Sequence, residues 1–225
     1  MNKLRIDILH WTLPALLLVF VGGVSAGVVD FSPGLLKFVQ GKWGGDAIER
    51  LQEWRSTELE AKTNHAKSEL TLSLDELQLI NRFWNKVPFI TDQKHWGVFD
   101  YWATPVETLA SYGGDCEDYS IAKYFSLKEL GVPPGRLRIT YVRALKINEA
   151  HMVLAYYPTP DADPYILDNL TGKILPASAR DDLEPVYSFN DDDLWAAGAG
   201  NFKGKSSQIR LWSELQEKLE KERRM

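Results

Sequence analysis

The sequence contains a single cysteine, Cys116, and only four histidines among its 225 residues. One cysteine cannot form an intramolecular disulfide, so Cys116 is predicted to be a free thiol. The chain also lacks an excess of basic residues, because 26 lysines and arginines stand against 31 aspartates and glutamates, for a formal net charge of -5. This charge balance gives no sign of the basic surface that nucleic-acid binding requires. No internal repeat or low-complexity tract is present.

Aromatic residues are abundant, with eight tryptophans and nine tyrosines, and they predict a packed core or grooves with aromatic walls. The overall composition, 44% hydrophobic and 25% charged, is that of an ordinary globular protein. A chain of this length can form one domain with a sizeable core, or a compact domain with helical extensions.

The N-terminus has the pattern of an export signal. Lys3 and Arg5 precede an apolar run over 13–24, and small residues follow at Val24-Ser25-Ala26. This pattern predicts a signal peptide at 1–26, cleaved after Ala26, and a periplasmic protein. The alternative is an uncleaved inner-membrane anchor, since the uncharged stretch 11–29 approaches the roughly 20 residues of a spanning helix.

The rest of the chain predicts an α+β domain with helices at both ends. We predict an N-terminal helical extension at 27–72, a catalytic domain at 73–200 and a C-terminal helix at 201–225. Within them, Phe31 to Gly45 is expected to be irregular, and Asp191 to Asp193 is expected to begin a helix. The other predicted elements are helices over 46–70, from Ser73 to before Pro88, over 106–112, 116–130 and 207–224, and strands near 137–141, 151–157 and 165–168.

Cys116 lies at the predicted start of a helix, in the stretch Gly113-Gly114-Asp115-Cys116-Glu117-Asp118. A helix N-terminus favours thiolate over thiol, which is what a cysteine nucleophile needs. The alternative is a small buried hydrophobe. The neighbouring acids would raise the pKa of the thiol, so a nucleophile here also requires a cation beside it.

Four histidines are available as the base that activates a cysteine. His10 lies in the export signal, His65 lies in a polar run and is expected to be solvated, and His95 is a weaker candidate in the aromatic loop. His151 opens an apolar strand, and a hairpin through 158–164 would return Asp168 to within a position or two of His151. A helix with cysteine, then a strand with histidine, then a strand with aspartate is the order of papain-like and transglutaminase-like thiol enzymes.

These residues resemble the bacterial transglutaminase-like cysteine proteinases. The resemblance lies in Asp115-Cys116-Glu117-Asp118-Tyr119, in the strand 150–157 around His151, and in Ile166-Leu167-Asp168-Asn169, and covers about 74–197. It implies a papain-like or transglutaminase-like fold, with the cysteine at a helix N-terminus packed on an antiparallel sheet that carries the histidine and aspartate. The implied catalytic triad is Cys116, His151 and Asp168.

The same resemblance implies a cofactor, a substrate and a partner. The cofactor is Ca²⁺, held by Asp115 and Glu117, with Asp118 as a further candidate ligand. The substrate is a large surface adhesin, cut near its N-terminus, and the partner is an inner-membrane receptor for cyclic-di-GMP. The alternative to calcium binding is that these acids only cap the helix.

Two other functions remain open from the sequence. The first is another acyl-transfer enzyme of the same fold, a transglutaminase or an amidase, because the same three residues form the acyl-enzyme. The second is a non-catalytic exported binding module. The oxyanion hole is expected to include the backbone N–H of Cys116, with a second donor from Trp96, Tyr101 or Trp102.

Overall fold

The computed structural model describes residues 29–65, 71–196 and 203–225. The predicted signal segment lies outside these residues. Within them, no helix is both long and apolar enough to cross a membrane. The helices are α1 (Pro33–Trp43), α2 (Gly45–His65), α3 (Leu74–Trp84), α4 (Asp92–His95), α5 (Pro105–Ser111), α6 (Cys116–Glu129) and α7 (Arg210–Arg223). The strands are β1 (Leu137–Ala144), β2 (Glu149–Tyr156), β3 (Tyr165–Leu167), β4 (Leu175–Pro176), β5 (Leu183–Phe189), β6 (Asp193–Ala196) and β7 (Lys203–Lys205).

The strands form one sheet in the order β4-β3-β2-β1-β5-β6-β7, and every pair is antiparallel. The helix α6 packs against β2 and β1, and α3 and α5 pack against α6. One hydrophobic core joins these layers and includes residues of α1, α2 and α7. The structure is therefore α+β, as the sequence predicts, and it places the start of α6 against the middle of the sheet.

Two predicted elements are wrong. The segment expected to be irregular contains α1, because Ser32 caps the helix by accepting the Leu35 N–H at 3.0 Å, and Pro33 stands at its first turn. The three aspartates at 191–193 do not begin a helix. The Asn190 side chain accepts both the Asp192 and Asp193 N–H groups at 3.0 Å, which forms a turn between β5 and β6.

Strand β5 was not among the predicted strands, and it contains Pro185. Proline cannot donate to a ladder and is unusual inside a sheet. The structure accommodates it where the pairing with β1 shifts register, between Tyr141 and Val142. The irregularity allows a proline in a central strand.

A buried carboxylic acid lies at the N-terminal side of the core. The Glu58 side chain is fully buried and accepts the Val29 N–H at 2.9 Å. Burial raises the pKa of Glu58 to about 7 from 4.5. The folded protein therefore binds more protons than the unfolded chain between about pH 4.5 and 7, so stability from this group falls as the pH rises through that range.

We expect Glu58→Gln to make the protein more stable at pH 8, on the order of 2 kcal/mol, with little effect at pH 5. Glutamine keeps an oxygen to accept the Val29 N–H and carries no charge to desolvate. Urea unfolding at the two pH values measures the effect. Glu49→Gln, an exposed change on the same helix, is the control, and equal pH dependence of Glu58→Gln and wild type would contradict the prediction.

Candidate active site

Cys116 is the first residue of α6. The turn before it requires Gly114, since a Cβ there would lie 2.7 Å from Asp118 Oδ2. That oxygen accepts the Asp115 N–H at 3.2 Å, and Oδ1 of the same side chain accepts the Ala103 N–H at 2.8 Å. Asp118 is fully buried, and its two hydrogen bonds connect the start of α6 to the aromatic loop at 96–104.

His151 and Asp168 lie on the sheet beside this helix start. Leu154 pairs with Leu167, so the next residue, Asp168, lies opposite Val153. Val153 is two positions from His151 in the same strand, which puts Asp168 on the face of the sheet that carries His151. His151 Nε2 lies 2.7 Å from Asp168 Oδ1. Burial alone would raise the pKa of Asp168, but the hydrogen bonds from His151, the Leu170 N–H and Arg180 together lower it to about 2.

The ionised Asp168 can only accept hydrogen bonds, so His151 Nε2 carries the proton and Nδ1 is left for another partner. The backbone of Met152 acts on the Cys116 sulfur and lowers its pKa, so the thiol lies beside the strand that carries His151. Cys116 and His151 line the same cleft, of about 450 Å³. The structure thus brings together the three residues that the sequence singled out.

The other histidines are separate from this cleft. His95 lies outside its lining, where Nε2 is 2.8 Å from Ser111 Oγ and the ring packs edge-on against Trp96. His10 and the side chain of His65 lie outside the described part of the chain.

A cluster of carboxylates lies at the cleft beside Cys116. Carboxylate oxygens of Asp92, Asp100 and Glu117 lie within 4.8 Å of one another, as do those of Asp92, Asp115 and Asp118. Asp115 and Glu117 were predicted metal ligands, whereas Asp92 and Asp100 were missed. No spacing motif links 92 and 100 to 115–117, and only the fold of the aromatic loop brings them close.

The cluster brings together more carboxylate oxygens than its hydrogen-bond donors satisfy. Burial and neighbouring carboxylates raise the pKa of Glu117 well above its usual value and raise that of Asp92 to about 6. Asp92 Oδ1 and Asp115 Oδ1 are buried without a hydrogen-bond donor. A hard divalent cation, which selects carboxylate oxygens, fits this donor set.

Asp118 differs from the other acids of the cluster. Both of its oxygens accept backbone N–H groups, at 2.8 and 3.2 Å. Its geometry therefore favours capping the start of α6 over binding a metal, and its role as a ligand stays a prediction.

The same carboxylates act on the thiol. Burial, Glu117 and Asp115 raise the pKa of Cys116 well above its usual value, and the thiol donates to Glu117 Oε2 at 3.2 Å. An ionised Glu117 at that distance would disfavour the thiolate by about 5 kcal/mol at an effective dielectric constant of about 20. The dipole at a helix N-terminus stabilises a thiolate by only about 0.3–2 kcal/mol. A cation bound by these carboxylates would offset their charge and favour the thiolate.

Aromatic side chains form the walls of the cleft. Tyr141 and Tyr187 stack at 5.1 Å on the sheet, and Trp102 stacks on Phe189 at 5.6 Å. Phe99 lines the opening and is 94% exposed. Trp102 is the candidate oxyanion-hole residue that lines the cleft, whereas the Tyr101 and Trp96 N–H groups donate to Asp92.

The fold and the site define a class of protein. A cysteine at a helix N-terminus, packed on an antiparallel sheet with histidine and aspartate, is the arrangement of thiol hydrolases with a papain-like or transglutaminase-like fold. Comparison with known proteins identifies the family within this class. The sequence model of one family, the bacterial transglutaminase-like cysteine proteinases, matches residues 51–187 of the chain. The chain therefore belongs to this family.

Solved structures of LapG from Legionella pneumophila are similar to the chain over nearly their whole length. The EGTA-treated form is 40% identical, with a TM-score of 0.71 over 85% of this chain and 99% of that one. The calcium-bound form is 42% identical, with a TM-score of 0.67 over 83% of this chain and 97% of that one. A search of curated proteins found no match. The protein is therefore a cysteine proteinase with a LapG-like fold.

Asp92 can be tested independently of the residues that flank Cys116. We expect Asp92→Asn to weaken calcium binding about 10-fold or more, because a charged ligand becomes neutral while the shape is kept. Isothermal titration calorimetry measures the affinity. Asp75→Asn, an exposed change in the first turn of α3, is the control, and equal affinities for the two variants would remove Asp92 from the metal site.

Proposed function

We propose that the protein is a calcium-dependent cysteine endopeptidase of the periplasm that cleaves the N-terminal region of a large surface adhesin. The observation that carries the proposal is the lining of one cleft by Cys116, His151 and the carboxylate cluster. The similarity to LapG, which has been solved in a calcium-bound form, supports calcium as the cation. The pattern of residues 1–26 supports export.

The three residues have distinct roles in this mechanism. His151 Nδ1 accepts the Cys116 proton, and the sulfur attacks the scissile carbonyl carbon. The Cys116 backbone N–H, at the first position of α6, donates to the developing oxyanion. His151 then gives its proton to the leaving amine, which leaves a thioester. Water, deprotonated by His151, hydrolyses the thioester and restores the thiol, while Asp168 holds the imidazole in one tautomer.

Calcium at the cluster would supply positive potential that favours the thiolate. Asp92, Asp100, Asp115 and Glu117 are the residues that would hold it. Glu117 Oε2 accepts the Cys116 thiol in this structure. With Glu117 among the residues that hold the cation, the thiol would be available to donate to His151, and the acids beside the nucleophile would form a binding site.

The proposed substrate and regulation follow from family resemblance. The substrate is a LapA-like adhesin, whose cleavage releases the cell from a biofilm. The partner is the periplasmic domain of a LapD-like receptor, which binds cyclic-di-GMP on its cytoplasmic side and sequesters the protease. The open, aromatic-walled cleft is compatible with an extended polypeptide.

The test is to incubate the purified protein with an adhesin N-terminal fragment, with calcium or with EGTA, and to follow the products by mass spectrometry. We expect two fragments from a single cut in calcium and none in EGTA. An added primary amine tests the alternative reaction. If the amine is incorporated and no peptide bond is cut, the protein is a transglutaminase rather than a protease.

A further inference from the structure

A buried arginine lies behind the histidine and aspartate of the site. Arg180, which is 5% exposed, follows a short helical turn at 177–179. Its Nη2 donates to Asp168 Oδ2 at 2.7 Å and to Asp182 Oδ2 at 3.1 Å, and its Nε donates to Asp182 Oδ1 at 2.8 Å. Two carboxylates therefore set the orientation of one guanidinium group. Nothing in the sequence around 180 marked this residue.

The two oxygens of Asp168 have different partners. Oδ1 accepts from His151 Nε2 at 2.7 Å and from the Leu170 N–H at 2.9 Å. Oδ2 accepts from Arg180. The Asp168 carbonyl oxygen accepts from Asn85 Nδ2 at 2.8 Å, which fixes the backbone at this residue. The arginine therefore holds the oxygen that the histidine does not use, and prevents the carboxylate from rotating.

We propose that Arg180 is a positioning residue for the cleavage reaction. Its guanidinium holds the Asp168 carboxylate ionised and in one orientation, so that Oδ1 accepts the Nε2 proton of His151 and Nδ1 faces Cys116. The proposal rests on the proposed function, because it assigns His151 as the base. Its geometric part, the link from Arg180 to the His151 tautomer, is independent of which substrate is cut.

Two features separate this role from a general stabilising one. Arg180 is not among the residues that line the cleft, so its effect on the reaction passes through Asp168 and His151. Its Nη1 is buried without an acceptor. A buried ion pair costs desolvation and is a weak source of stability. The two hydrogen bonds to Asp182 instead fix the orientation of the guanidinium that donates a single hydrogen bond to Asp168.

The test compares Arg180→Met, Arg180→Lys and the control Arg143→Met. Arg143 pairs with Glu184 on the surface of the same sheet, at 2.5 Å, with both side chains more than half exposed. For cleavage of the adhesin fragment we expect Arg180→Met to lower kcat about 10–100-fold, the range for residues that orient a functional group, with KM within about 3-fold. Arg180→Lys should restore part of kcat because it keeps the charge, and Arg143→Met should match wild type.

The second readout is the NMR spectrum of protein with ¹⁵N-labelled histidine, which needs no substrate. We expect one His151 tautomer in wild type, protonated at Nε2, and its loss or mixing in Arg180→Met at a temperature where that variant is folded. The signal is assigned by its absence in His151→Gln. Asp182→Asn, which removes an anchor of Arg180, should give a smaller change in the same direction.

Equal kcat and equal His151 spectra for Arg180→Met and Arg143→Met would overturn the inference. If Arg180→Met fails to fold, Arg180→Lys and Asp182→Asn decide the question, and wild-type tautomers and kcat in both would overturn it. If wild type does not cleave the fragment, the proposed function fails, while the NMR comparison still decides whether Arg180 sets the tautomer.

Discussion

Replacing Cys116 with alanine is expected to lower kcat for adhesin cleavage by at least ~10³-fold while the protein stays folded. Without the sulfur there is no nucleophile, and a water molecule cannot take its place at the start of α6. Alanine is a good helix former and fills most of the space of a half-buried cysteine, so stability should change little. Cleavage rates and thermal unfolding measure the two effects.

The control for this prediction combines Cys116→Ala with substitutions of the other two residues. His151→Ala and Asp168→Ala should each be severely impaired, and either change added to Cys116→Ala should cause little further loss, because the three act as a unit. Purified Cys116→Ala that still cleaves the fragment at a wild-type rate would end the account of a thiol protease.

Removal of calcium is expected to lower cleavage by at least ~100-fold, with recovery when calcium is returned. The reason is electrostatic, since two carboxylates beside the thiol disfavour the thiolate by more than a helix N-terminus can return. Magnesium should restore activity poorly, because it requires tight octahedral geometry and gives up its water reluctantly. Cleavage in EGTA, then with each cation added back, measures the effect.

Asp115→Asn and Glu117→Gln should weaken calcium binding and cleavage together, without unfolding the protein. Asp161→Asn, an exposed change of the same charge in the turn between β2 and β3, is the matched control. Activity that persists in EGTA, or calorimetry that finds no calcium binding to wild type, would contradict this prediction. These acids would then act only as helix caps.

Local signals in the sequence predicted much of the fold. The double glycine and the acids indicated a helix that begins at Cys116, which is where α6 starts. Ser73 and Glu76 form the expected capping box. The apolar strand that His151 opens and the turn after it predicted a hairpin in which Asp168 comes close to His151, as the structure shows. Each of these patterns lies within a short stretch of chain.

Long-range features were not predictable in the same way. Asp92 and Asp100 approach Glu117 only because the aromatic loop folds back onto the start of α6, with Asp118 bound to the Ala103 N–H. Arg180 reaches Asp168 from a turn that has no pattern of its own. These charged residues have ordinary surface-like sequence surroundings, and the burial of Asp92 and Arg180 depends on contacts between separate elements.

The central claim is that a cation at the carboxylate cluster activates the Cys116 thiol. The most direct measurement is the rate of iodoacetamide alkylation at pH 7, followed by intact mass. The chain has a single cysteine, so the mass change reports on Cys116 alone, and the assay needs no substrate. The account predicts alkylation at least ~10-fold faster in calcium than in EGTA, with the difference lost in Glu117→Gln. Equal rates for wild type with calcium and with EGTA would contradict it.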